Sequence, residues 1–198
     1  MKQILLPLIA TILFCINSFA QDRPLQSALL GFKGGVNFAT VSAKNIDNPE
    51  FIIDFYVGFA IEAMLTEKFG FQIETVYSRQ GFEFEQSPTT KQGVLKIGYI
   101  QVPVLAKAYL FEGFNIQGGL QLGFKVHEKA SIDLVRSQLD LNTNTSNRFD
   151  FQLVSGIEYK FKNGFFIQAR YSYGFSEIID DSEIHNSVLS AGVGFMFY

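Results

Sequence analysis

The chain is poor in the residues that build reactive or metal sites. It holds one cysteine, Cys15, and two histidines, His127 and His185, in 198 residues. A single thiol forms no internal disulfide, and so few soft ligands leave no set for a structural metal. Tryptophan is absent and proline occurs only 5 times. Charged residues make up just 18%, with a net charge of −3, which excludes a basic nucleic-acid binder. A hydrophobic share of 47% excludes a disordered chain. No glycine-rich loop follows a strand and opens a helix, so neither a phosphate loop nor a dinucleotide site is expected, and no cofactor. Beyond residue 27 no run approaches the roughly 20 apolar residues that a spanning helix requires.

Phenylalanine is abundant instead, with 22 Phe beside 8 Tyr and 17 Gly. The first twenty residues stand apart from the rest. Lys2 opens a positive region, an apolar run follows over 4–14, and Ser18-Phe19-Ala20 supplies small residues at the −3 and −1 positions of a cleavage site. This is the grammar of a secretory signal peptide, too short for a membrane anchor. Cys15 offers a lipoprotein signal as the alternative, against which Phe14 is a large residue where a small one is wanted. Cleavage after Ala20 removes the only thiol. The expected organisation is a signal peptide over 1–20 and one domain over 21–198.

The rest of the chain alternates with period 2. Over 115–127, Ile116, Gly118, Leu120, Leu122, Phe124 and Val126 share one face, and Asn115, Gln117, Gln121, Lys125 and His127 share the other. A strand sends successive side chains to opposite faces, so each such segment has an apolar and a polar surface. Seven more segments read the same way, near 29–38, 51–65, 69–80, 97–110, 149–161, 165–176 and 187–198. The polar face collects Lys33, Lys107, Lys125, Lys160 and Arg170 against Asp54, Glu62, Glu74, Asp150 and Glu158. A soluble barrel with its apolar face inward has the same parity. Three features favour the inverted arrangement: an almost charge-free apolar face, aromatics at strand ends, and turns that alternate short and long. The expected fold is all-β: an eight-stranded antiparallel transmembrane β-barrel with a polar, side-chain-filled interior.

Connections near 66–68, 111–113 and 162–164 are tight, and those near 39–50, 85–93, 128–148 and 178–186 are long. Outer-membrane barrels keep short turns in the periplasm and long loops outside, which puts both termini in the periplasm. Within 128–148, Ile132, Leu134 and Leu139 extend a strand or form a short helix. Phe195, Phe197 and Tyr198 end the chain at alternating spacing, as in the C-terminal signal read by the barrel-assembly machinery.

Four motifs resemble the PorT-like small outer-membrane β-barrels of Bacteroidota. They are Gly31-Phe32-Lys33-Gly34-Gly35-Val36-Asn37-Phe38, Glu74-Thr75-Val76-Tyr77-Ser78-Arg79-Gln80-Gly81, Tyr99-Ile100-Gln101-Val102-Pro103 with Lys107, and Arg170-Tyr171-Ser172-Tyr173-Gly174. Gln101 stands where that family often has Glu. The resemblance implies fold and location, not an activity.

Eight strands enclose a lumen that side chains fill, so inward charges must pair. Counting back from the second tight hairpin brings Glu62 opposite Glu74, which calls for cations from Lys107, Lys33 and Arg170. These five, with Asp54, Lys125, Asp150 and Glu158, form the expected lumenal charge network, read first as structural and second as a ligand-binding lumen. Pro103, in mid-strand, predicts a bulge or a broken ladder bond. His127 and His185 lie near Ser131 and Ser187, the only hint of a nucleophile with a base. The expected function is that of a non-enzymatic barrel, a structural or interaction element or an accessory of an envelope or secretion complex. The alternative is a small-solute binding or transport barrel with a gated lumen. A lipid-modifying enzyme is the third reading. Expected partners are outer-membrane lipid, the assembly machinery and such a complex.

Overall fold

The computed structural model describes residues 28–42, 50–84, 93–134, 137–141, 147–178 and 183–197. The expected signal peptide over 1–20 and Tyr198 lie outside these residues. Among the described residues nine strands follow one another: β1 (Ala28–Ser42), β2 (Glu50–Met64), β3 (Phe69–Phe84), β4 (Gly93–Phe111), β5 (Phe114–Leu134), β6 (Ser137–Leu141), β7 (Phe149–Lys160), β8 (Phe165–Glu177) and β9 (His185–Phe197). Each barrel strand pairs antiparallel with its chain neighbours, β1 pairs β9, and eight strands close into a barrel. The ninth, β6, pairs only with the far end of β5, from Ala130↔Leu141 to Leu134↔Ser137. Of the two conformations expected within 128–148, the structure takes the strand extension.

Three tight turns lie at one end of the barrel, here the turn end. The β2–β3 turn is held by Thr66, whose hydroxyl accepts from the amides of Lys68 and Phe69. The β4–β5 and β7–β8 turns each carry a glycine at positive φ, Gly113 at 76° and Gly164 at 90°, where a side chain would strain the backbone. The longer connections gather at the loop end. There β4 and β5 run to 19 and 21 residues, beyond the expected segments 97–110 and 115–127, and rise past their neighbours as a hairpin.

The apolar face points outward. Phe59 is 66% exposed, Leu120 49% and Val193 48%, whereas Lys107 and Glu62 on the inner face are 1% and 0% exposed. An apolar exterior around a charged interior reverses the order of a soluble barrel and fits lipid. Aromatic rings ring both ends of this exterior. At the turn end Phe111 stacks on Phe114 at 4.8 Å, and Phe195 meets Phe197 at 5.4 Å. At the loop end Phe124 meets Phe149 at 5.7 Å, and Tyr173 meets Phe175 at 5.9 Å. On β8 the two girdles are marked by Phe165 and Phe175. Ten residues at about 3.3 Å each, on a strand tilted by about 40°, span roughly 25 Å, the height of a membrane-barrel band.

Two local features depart from plain alternation. Around Pro103 the β3–β4 ladder is interrupted between Ile73↔Val104 and Val76↔Gln101 without a change of register. Proline has no N–H to give there, so the ladder breaks and no bulge forms. Near the loop end a bulge does form: the register shifts between Gly98↔His127 and Tyr99↔Lys125, leaving Val126 as an extra residue. His127, expected on the polar face, is therefore exposed on the outside, stacked on Tyr77 at 6.2 Å, and Glu128 turns inward.

Candidate functional site

The interior is the only place where charged side chains converge away from water among the described residues. It is built in layers. Nearest the turn end, Lys107 Nζ donates to Glu158 Oε1 at 2.6 Å, to Glu62 Oε2 at 2.7 Å and to Gln72 Oε1 at 2.9 Å. Lys160 Nζ donates to Glu62 Oε1 at 2.5 Å, and the Tyr109 hydroxyl donates to the same oxygen at 2.6 Å. Two lysines here face two glutamates. Above them Arg170 clamps Glu74 with two parallel bonds, Nη1 to Oε2 at 2.9 Å and Nη2 to Oε1 at 2.7 Å. The planar guanidinium suits that two-pronged geometry. Lys33 Nζ reaches the same carboxylate at 2.5 Å.

Nearer the loop end the pairs become neutral or local. Asn37 Nδ2 donates to the Ser78 hydroxyl, and the Ser190 hydroxyl donates to Asn37 Oδ1. Asp150 Oδ2 accepts from Gln152 at 2.6 Å and from Asn186 at 2.5 Å, and Lys125 pairs with Glu128 at 2.7 Å. Asp54 joins none of these layers in the ion pairs found. It meets Arg79 at 3.4 Å on the wall, where the guanidinium also covers the Phe55 ring at 5.6 Å.

The register corrects one expectation. Glu62 stands opposite Gln72, and Glu74 stands opposite Ala60. The two carboxylates thus fall in successive layers, each with its own pair of cations, and share none. The hairpin closes from Leu65 to Phe69, symmetric about residue 67, which sets Glu62 opposite Gln72; the expected pairing with Glu74 was two residues out.

Apolar side chains that parity alone did not flag pack at both ends of the lumen. At the loop end Val41, Phe82, Leu95, Ile97 and Tyr99 pack with Ile178 and Ile184. The last two come from the β8–β9 connection, whose flanks tuck inward and pair through Ile178 N–H to Ile184 C=O at 2.7 Å. The signal was present as isoleucines flanking an acidic loop. At the turn end Leu29, Ala60, Phe166 and Met196 fill one side. Glycines make room for the inward rings: a Cβ at Gly192 would strike the Tyr56 hydroxyl, and one at Gly194 the Phe166 ring. Between these closures lies a cavity of only about 30 Å³.

The histidines lie outside the lumen. His185 stacks on Tyr173, its Nδ1 3.3 Å from the Ser176 carbonyl, while the Ser187 hydroxyl meets Tyr171 at 2.9 Å. His185 and Ser187 thus have separate partners and do not form a nucleophile with its base, and the side chain of Ser131, beside His127 in the sequence, lies outside the described ones. Glu112 and Lys162, on two neighbouring turns, form an exposed pair at 2.7 Å. The hydrogen bond from Lys162 holds the Glu112 carboxyl below its ordinary range.

The barrel fold is shared with known proteins. A family profile described as outer membrane protein beta-barrel domain matches residues 19–180. The chain belongs to that family. Among solved structures, this outer-membrane barrel is similar to Ail, the attachment invasion locus protein of Yersinia pestis, at 17% identity and a TM-score of 0.56, over 87% of this chain and 100% of that one. Neisserial surface protein A is similar at 17% identity and a TM-score of 0.57, with the same coverage. At such identity these likenesses concern the fold. No protein of curated function matches the barrel in sequence.

Proposed function

We propose that this outer-membrane barrel is a non-enzymatic structural or interaction element, working through its rims and loops as an accessory of an envelope or secretion complex. The closed lumen carries this reading. Buried ion pairs fill its middle, and apolar side chains pack at its loop end and on one side of its turn end, which supports a lumen that no solute crosses. Within the family, the motifs at 31–38, 74–81, 99–103 and 170–174 support a PorT-like affiliation. In the proposed arrangement residues 1–20 are removed as a signal, both termini face the periplasm, and Phe195, Phe197 and Tyr198 are read by the assembly machinery.

Two measurements bear on the reading. In planar bilayers the protein is expected to give no stable single-channel steps; steady conductance would favour the gated-lumen alternative. Extracted from its native membrane in mild detergent, the tagged barrel is expected to migrate with a stoichiometric envelope protein. A lone barrel under those conditions sinks the accessory role. The lipid-modifying reading finds no support in the contacts of either histidine.

A further inference from the structure

The charge of the lumen is uneven at two heights: toward the loop end, where Asp150 meets only the neutral Gln152 and Asn186, and at mid-height. There Lys33 and Arg170 both converge on a single carboxylate, Glu74, leaving one positive charge in excess. The layer toward the turn end is neutral, with Lys107 and Lys160 against Glu62 and Glu158. Asp150, the carboxylate without a lysine or arginine partner, lies two residues, about 7 Å, up β7 from Gln152, which stands opposite the cavity-lining Gln121.

The cavity lies at this same height. Lys33, Glu74, Arg170, Gln101 and Pro103 line it. Two of these residues carry hydrogen-bond donors with no acceptor, Arg170 Nε and Gln101 Nε2, on side chains more than nine-tenths buried. Buried donors without partners are rare and call for a group that accepts from them. Gln80 and Gln168 also line the cavity, each with an unpartnered carbonyl oxygen. A carboxamide can turn over, so each can offer its NH₂ instead while Ser78 or Tyr56 donates to its oxygen.

Excess positive charge and unpartnered donors around one small space select for an anion. The volume, about 30 Å³, sets its size: it exceeds what one water needs by about twofold and admits a monatomic ion, while a sulfate, phosphate or organic acid is too large. We propose that the lumen holds a buried halide at mid-height, bound by Arg170 Nε and Gln101 Nε2, with the charge excess of Lys33 and Arg170 over Glu74 as its counter-charge.

A ligand that binds the folded state alone stabilises it in proportion to the logarithm of its concentration above the dissociation constant. The test is refolding of the full barrel into detergent micelles in sodium gluconate, with chloride or bromide substituted at constant ionic strength. Supplying the halide during refolding lets it enter before the barrel closes. The thermal midpoint is expected to rise with chloride and with bromide and to stay flat in gluconate. In Gln101→Glu, where a carboxylate supplies the missing negative charge, that rise is expected to vanish. In Gln101→Leu the halide needed for half the effect is expected to increase at least tenfold. Crystals grown in bromide are expected to give an anomalous peak in the cavity. Equal midpoints in chloride and gluconate, an unchanged halide response in both variants, or a cavity without an anomalous peak would each overturn the site.

Discussion

Lys107→Met is expected to lower the folding stability of the barrel by about 3–5 kcal/mol, read from urea titrations in phospholipid vesicles, because it removes one partner of a buried ionic cluster. The cost should fall unevenly on the two glutamates. Glu62 keeps Lys160 and the Tyr109 hydroxyl after the change. Glu158 keeps only Asn115, at 3.2 Å, and its Oε2 already lacks a partner. Adding Glu158→Gln to Lys107→Met should therefore restore most of the loss. Adding Glu62→Gln instead should not, because it strips Lys160 of its carboxylate and still leaves Glu158 uncompensated. A loss under about 1 kcal/mol in the single variant, or equal rescue by both second changes, would show that the cluster does not hold the barrel.

The second large effect belongs to the outer face. Val104 is 47% exposed at mid-height on β4, between Ile73 on β3 and Leu120 on β5, both also exposed. Val104→Arg is expected to cost about 2–4 kcal/mol in vesicles, the penalty for an arginine near the bilayer midplane. Leu110→Arg, beside the aromatic girdle at the turn end, should cost only about 0–1 kcal/mol, since its guanidinium reaches the interface. In a barrel surrounded by water both variants would be nearly neutral. The difference between the two therefore reports the membrane itself, and equal costs would contradict the orientation of the apolar band.

Much of this surface was legible from residues alone. Alternation has a period of 2, so one hydrophobic set, such as Val57, Phe59 and Ile61 on β2, determines the facing of every neighbour on that strand. Inward placement of Lys33, Glu62, Glu74, Lys107, Glu158 and Arg170 followed from the same parity. What parity cannot resolve is height. A pleat gives the same facing at every second residue, so the Glu62–Glu74 pairing slipped by one step, and each carboxylate turned out to have its own cations. Parity also fails beyond a bulge. One extra residue at Val126 sent His127 outward and Glu128 inward.

The sequence by itself determined an antiparallel barrel, its tight and long connections, and which face meets lipid, because these depend on local spacing and on the cost of placing charge in hydrocarbon. Only the tertiary structure decided which charges meet, that Asp54 pairs with Arg79 at the wall, and that Ile178 and Ile184 close the lumen. Those contacts join strands across the barrel, and their partners are set by interstrand register and by loops folding inward. Neither leaves a periodic trace along the chain.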